Sequence, residues 1–146
     1  MRNEATIEVG SVDRWVAGLP GRSVPDATIG DDLCKRVRVF ADLNPHLPAG
    51  ATGAWLLYRH GGIVTTVAVD RAHIIGRGSD ATVKLDHPWM SRQHFSITPR
   101  DGDFYSEHFG SKNPLTINGR DVAGARLQSG DVICVGTQQF LFVIVR

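Results

Sequence analysis

The stretch Ala54-Trp55-Leu56-Leu57-Tyr58-Arg59-His60-Gly61-Gly62-Ile63-Val64-Thr65-Thr66-Val67-Ala68-Val69 decides the fold class. Two runs rich in β-branched and aromatic residues flank a Gly-Gly pair, and that pattern predicts a β-hairpin. The chain beyond it keeps the same texture. His73-Ile74-Ile75, Ala81 to Leu85, His94 to Ile97, Phe104-Tyr105, Val132 to Val135 and Phe140 to Val145 read as further strands. Asp101-Gly102 and Asn118-Gly119 supply turns that need positive φ. Many short strands at this spacing predict an all-β sandwich.

The last run, Phe140-Leu141-Phe142-Val143-Ile144-Val145, does not alternate. A strand with one wet face alternates, whereas a strand covered on both faces need not. Its outer face is therefore expected to be covered by the N-terminal helix or by a second subunit.

That helix is predicted over residues 31–43. Asp31 is placed to cap it, and Leu33, Val37 and Phe40 form an apolar stripe. Lys35, Arg36 and Arg38 fall on other faces. Asn44-Pro45 ends the helix, because the residue before proline is driven out of the helical region. Upstream, Gly10, Gly18, Pro20, Gly21, Pro25 and Gly30 break the chain into an arm, with one helical turn expected at Ser11 to Ala17. Residues 1–51 thus read as an N-terminal extension, and residues 52–146 as the β domain.

Composition narrows the function classes. The chain has 146 residues, with 16 Lys plus Arg against 15 Asp plus Glu. Residues 1–51 hold six basic and seven acidic groups, and residues 52–146 hold ten and eight. Neither part carries the basic excess of a general nucleic-acid binder. Two cysteines, Cys34 and Cys134, lie far apart without metal-ligand spacing, so two buried free thiols are expected, with no metal and no cofactor. No apolar run reaches the roughly 20 residues of a membrane helix, and Met1-Arg2-Asn3-Glu4 leads into no signal-type segment. A cytoplasmic location without membrane association is the expectation.

The polar residues between the β runs carry the chemistry. Arg77 offers a guanidinium able to grip an oxyanion with two parallel hydrogen bonds. Ser91 adds a hydroxyl, Lys112 an ammonium, and Asn113 an amide that both donates and accepts. These are parts for holding a phosphate carried on a peptide. Ser91 and His94 lie three residues apart, but no orienting group or oxyanion hole accompanies them, so no catalytic set is read.

The order Ile75-Gly76-Arg77, Ser91-Arg92-Gln93-His94, Ser111-Lys112-Asn113, Asn118-Gly119-Arg120 and Leu127-Gln128-Ser129-Gly130-Asp131-Val132-Ile133 resembles the forkhead-associated (FHA) domain over about residues 54 to 146. The resemblance implies an FHA-type β-sandwich of about eleven strands that binds phosphothreonine peptides and is not an enzyme. It implies that Arg77 and Ser91 contact the phosphate. Lys112 falls where a further phosphate contact often sits, and Asn113 matches the residue that grips the peptide main chain. Gly76, His94, Asn118 and Gly119 match positions that hold the loops. The expected partner is a phosphothreonine-containing protein, with a Ser/Thr kinase upstream. The alternative is a phosphate-independent scaffold, or a homo-oligomerisation module such as a homodimer. The departure from the family pattern is Pro114-Leu115, where Gly-Thr is usual; proline fixes φ and restricts Asn113 before it. Trp89 is expected to pack and to shape the binding rim. Thr28, followed by Ile29-Gly30-Asp31, is a possible internal phosphothreonine ligand on the arm.

Overall fold

The structure is a computed structural model, and it describes residues 26–146, with side chains from Leu33 onward. One helix, α1 (Asp26–Leu43), is followed by a short 3-10 turn, Asn44–His46. Eleven strands follow: β1 (Gly53–His60), β2 (Ile63–Ala68), β3 (His73–Gly76), β4 (Val83–Lys84), β5 (Phe95–Arg100), β6 (Asp103–His108), β7 (Thr116–Ile117), β8 (Arg120–Asp121), β9 (Gly124–Leu127), β10 (Asp131–Val135) and β11 (Gln138–Val145). They form two sheets, ordered β2-β1-β11-β10-β7-β8 and β4-β3-β5-β6-β9. The expected all-β sandwich is the observed fold. The quoted hairpin is β1 paired with β2, His60 opposite Ile63 across Gly61-Gly62. Strands β7, β8 and β9 are too short or too polar to stand out in the sequence.

The core lies between the sheets. Leu56, Tyr58, Ile75, Phe95, Ile97, Ile133, Phe140 and Phe142 are buried in it. Phe140 meets Tyr58 and Phe95 with ring centroids 5.3 and 5.4 Å apart. Both pairs are inclined, the geometry that ring quadrupoles favour.

The non-alternating β11 is covered on both faces. Phe140, Phe142 and Ile144 face the sandwich interior, while Leu141 and Val143 join a second cluster with Val39 and Leu43 of α1, Leu57 and Val132. The N-terminal helix is the cover. An ion pair fixes its end: Arg59 donates to both carboxylate oxygens of Asp42 at 2.9 and 3.2 Å. That hydrogen bond holds the Asp42 carboxyl below the usual carboxylate range.

Several expectations are corrected here. The helix begins at Asp26 rather than near Asp31, so Asp31 is not its cap and Gly30 lies within it. Packing on the sheet outweighs the ~1 kcal/mol that one helical glycine costs. Val37 is 49% exposed and not part of the buried stripe. It lies two residues, about 200° of rotation, from the buried Val39. Phe40 and Leu47 pack beside Val39 and Leu43 instead, and Arg36 is half-buried. Cys34 is exposed and Cys134 half-buried, so the expectation of two buried thiols fails. Cys34 lies on the outer side of α1, and Cys134 under it on β10. Thr28 falls within α1 rather than on an extended arm, which a peptide ligand would require. The turn expected at Ser11 to Ala17 lies outside the described residues.

The second cluster makes a quantitative demand on α1. Leu43 is 2% exposed, and Leu43→Ala is expected to lower the unfolding free energy by about 2–4 kcal/mol, measured by urea denaturation. Deleting residues 1–45 is expected to lower both solubility and midpoint, because it uncovers Leu57, Val132, Leu141 and Val143. Unchanged midpoints for both variants would contradict the packing.

Candidate functional site

The candidate site is built on two loops fastened to each other by backbone. Strand β3 ends at Gly76, and the following residues run beside the segment before β5. Arg77 N–H donates to the Ser91 carbonyl at 2.8 Å, Gly78 N–H to the Arg92 carbonyl at 3.0 Å, and His94 N–H to the Ile75 carbonyl at 2.9 Å. Leu85 N–H donates to the Gly76 carbonyl at 2.8 Å. The approach leaves no room for a side chain at Gly76, where a Cβ would collide with the Arg92 carbonyl. At Gly78 a Cβ would come within 2.9 Å of the Arg92 side chain. The glycine of Gly76-Arg77 is thus a condition for placing Arg77 next to Ser91.

A buried imidazole joins this pair to the third loop. His94 is fully buried, and its Nδ1 accepts the Ser91 backbone N–H at 3.1 Å. Nδ1 is therefore unprotonated and the proton sits on Nε2. Nε2 lies 3.2 Å from the Ser111 hydroxyl oxygen, to which it donates. The Ser111 hydroxyl in turn donates a hydrogen bond to the Asn113 carbonyl at 3.1 Å, and His108 Nε2 reaches the same carbonyl at 3.0 Å. Burial, aided by the neighbouring His108, keeps the His94 pKa below its ordinary value. A neutral ring is what the network needs, since a doubly protonated one could not accept from Ser91. The Ser91 N–H, not its hydroxyl, meets His94, which is no nucleophile–base arrangement.

Asn113 closes the assembly from the other side. Its Nδ2 donates to the Trp89 carbonyl at 2.9 Å, tying the 111–113 loop to the 86–91 loop. Pro114 does not disturb this. It is exposed, Asn113 is outside the left-handed region, and Leu115 is fully buried in the core. The substituted pair therefore anchors the loop through apolar packing.

The expected contact residues are brought together at this end of the sandwich. Arg77 and Lys112 are exposed and Ser91 half-buried. No hydrogen bond or ion pair among the described residues occupies the Arg77 guanidinium, the Ser91 hydroxyl or the Lys112 ammonium. Asn118 and Gly119 hold architecture elsewhere. With φ of 53° and 85° they form the β7–β8 turn. Asn118 donates to Asp131 at 3.0 Å and accepts from Val132 N–H at 2.9 Å, which locks the turn to β10.

Sequence reasoning missed Ser111 and His108 as members of the network, and Gly78 as a second close approach. Ser111 lay inside the Ser111-Lys112-Asn113 block, so its position was visible although its partner was not. His108 carried no signal, because only folding brings it beside His94, with ring centroids 5.2 Å apart.

The β-sandwich thus presents these polar loops together at one end. Residues 73–136 match the family model of the FHA domain. A structure from a structural and functional analysis of phosphothreonine-dependent FHA domain interactions is similar, with a TM-score of 0.55 and 29% identity, covering 62% of this chain and 95% of that one. The FHA domain of FhaA, solved with the intracellular domain of Rv3910, gives 0.54 and 28%, covering 61% and 98%. The FHA domain of CT664 from Chlamydia trachomatis gives 0.56 and 27%, covering 63% and 97%. The human proliferation marker protein Ki-67 is 30% identical over 70 residues, which are 47% of this chain and 2% of that much longer protein. The chain carries an FHA domain.

The His94 network has a pH signature. Because its folded pKa is depressed, the unfolded chain binds more protons below about pH 6.5, and stability falls as pH drops through that value. His87, whose pKa burial and the nearby His60 also lower, adds in the same direction. Nitrogen-detected NMR is expected to show the His94 ring neutral, with Nε2 protonated, at about pH 7.5, and its titration midpoint below that of a free imidazole. A His94 ring that titrates at or above 6.5 would contradict the network.

Proposed function

We propose that this FHA domain is a phosphothreonine-peptide-binding adaptor that acts in Ser/Thr kinase signalling. The observation that carries the reading is the set of three uncommitted donors, on Arg77, Ser91 and Lys112, on loops that the backbone zipper and His94 hold rigid. A phosphothreonine brings about −1.5 to −2 charges and three acceptor oxygens. Arg77 takes two of those oxygens through its fork, Ser91 contributes its hydroxyl, and Lys112 adds a point charge. Asn113, with Nδ2 already given to Trp89, presents its side-chain oxygen to a peptide N–H beside the phosphorylated residue. The loops are already in place, so binding has only the Arg77 and Lys112 side chains to order, which limits the entropic cost of association.

The same reading treats residues 52–146 as the recognition unit and 1–51 as an extension that covers its outer sheet. It gives the protein no enzymatic role, no metal and no cofactor, and sets it in the cytoplasm. Among the described residues no helix is long and apolar enough to cross a membrane. The relatives named with partners support the reading: one belongs to a study of phosphothreonine-dependent interactions, and another was solved with an intracellular domain bound.

Calorimetry with matched phosphorylated and plain threonine peptides, chosen from a library, tests it. Hydrogen bonds to charged groups contribute roughly 1.5–3 kcal/mol. Arg77→Ala is therefore expected to weaken phosphopeptide binding by about 10- to 100-fold and to leave the fold intact. Lys112→Ala is expected to weaken it less, and more at low ionic strength than at high. Equal binding of both peptide forms, or an Arg77→Ala protein that binds as the wild type does, would refute the proposal in favour of a phosphate-independent scaffold.

A further inference from the structure

The two sheets have four open edges, β2, β8, β4 and β9. Three of them are defended in the ordinary ways, by shortness and by charge. β4 is two residues long and includes Lys84, β8 is Arg120-Asp121, and β9 is four residues long with Arg126 in it. β2 has neither defence. It runs six residues, Ile63-Val64-Thr65-Thr66-Val67-Ala68, all β-branched except the last, with no charge and no proline. At its start Ile63 is 69% exposed. Such an edge is one to which another strand adds.

The phase of the β1–β2 ladder tells which backbone groups stay open. Residues of an antiparallel strand alternate between bonding to their neighbour and pointing away from it. Val69 N–H donates to the Ala54 carbonyl at 2.8 Å, in continuation of the β1–β2 register. Ile63, Thr65 and Val67 therefore bond to β1, and Val64, Thr66 and Ala68 turn their backbone groups outward. The Ala68 carbonyl is engaged by His73 Nε2 at 3.0 Å. Val64 and Thr66 are left with two N–H donors and two C=O acceptors, and among the described residues no strand lies beside them. The same alternation sorts the side chains. Val67 packs toward the sandwich interior and Val64 toward the α1 side, so Ile63 and Thr65 share the inner face with Val67.

We infer that β2 pairs with β2 of a second copy of this chain, antiparallel and about a two-fold axis at Thr65. One register satisfies all the open groups and leaves the Ala68–His73 bond intact. In it Val64 of each copy lies opposite Thr66 of the other and exchanges both hydrogen bonds with it. Thr65 then faces Thr65, and Ile63 faces Val67 of the other copy, which covers the exposed isoleucine. A two-fold interface must be self-complementary, and an uncharged strand sets no like charges opposite each other. A strip about 20 Å long buries less than a standard ~1,600 Å² interface, so the dimer is weak, with a dissociation constant of roughly 100 μM. The β1–β2 turn lies at the recognition end, since the His60 ring is 6.1 Å from that of His87, whose loop leads to Ser91. Antiparallel pairing points the two recognition ends in opposite directions. On the proposed function, such a dimer joins two phosphorylated ligands.

Sedimentation equilibrium of the full chain without ligand, over about 10 μM to about 1 mM, tests the pairing. Wild type is expected to pass from monomer toward dimer. Thr65→Lys and Thr65→Glu each set two like charges against each other on the axis, and each alone is expected to weaken association at least about tenfold. Mixed in equal amounts, the two variants are expected to associate again, which misfolded chains could not do. Thr66→Pro removes an outward donor without touching the bonds to β1, and it is expected to abolish association. Hydrogen exchange on wild type needs no substitution. The Val64 and Thr66 amides are expected to exchange about fourfold more slowly at about 1 mM than at about 20 μM, with those of Thr65 and Val67 unchanged. A wild type that stays monomeric at the highest concentration would overturn the inference. So would association that leaves the Val64 and Thr66 amides unprotected, variants that associate as wild type does, or folded Lys and Glu variants that stay apart when mixed. None of these outcomes bears on the proposed function, which uses no residue of β2.

Discussion

The close backbone contact between the end of β3 and the segment before β5 is the constraint on which the recognition end depends. Three hydrogen bonds, from Arg77, Gly78 and His94, stitch two chain segments that are fourteen or more residues apart. Buried backbone groups must find partners, and here they find one another across a gap that only glycine leaves open. Any side chain at Gly76 separates the segments. Arg77 and Ser91 then lose their relation, although neither has been altered.

From that seam the architecture extends outward through one neutral imidazole. His94 accepts from Ser91 and donates to Ser111, and Ser111 and His108 converge on the Asn113 carbonyl. A fully buried histidine without partners would cost several kcal/mol if charged. With its two nitrogens in different roles it becomes a bracket between loops. The carboxamide of Asn113 continues the chain of bonds to Trp89, whose ring rests on Gly136. Three loops are thus held by polar contacts and the β10–β11 turn by the Trp89 ring, while the donors that face outward are left unengaged. Rigid support with free functional groups is the arrangement that the proposed binding role calls for.

On the outer face of the six-stranded sheet the physics is apolar. β11 is buried on both faces, and α1 supplies the second cover through Val39 and Leu43. Without it Leu57, Val132, Leu141 and Val143 would form an exposed patch of the sort that drives association. The helix therefore belongs to the sandwich energetically, although in sequence it precedes the β domain. The Asp42–Arg59 pair fixes its end relative to the β1–β2 turn and, being exposed and screened, contributes more to placement than to stability.

The sequence alone determined the β class, because Gly-Gly, Asp-Gly and Asn-Gly between β-branched runs leave the backbone few other choices. It also determined that β11 must be covered twice, since six consecutive apolar residues cannot present a wet face. The proposed contact set Arg77, Ser91, Lys112 and Asn113 was legible as a chemistry, because guanidinium, hydroxyl, ammonium and amide have few joint uses. What only the tertiary structure decided are the relations that need two distant segments in contact. The outward turn of Val37 is one, fixed by which helical face met β1, β10 and β11. The pairing of His94 with Ser111 and His108, and the seat of Trp89 on Gly136, are of the same kind. Hydrogen bonds and close contacts between residues tens of positions apart leave no periodicity behind them, so a sequence can show the parts of this site without showing what holds them in place.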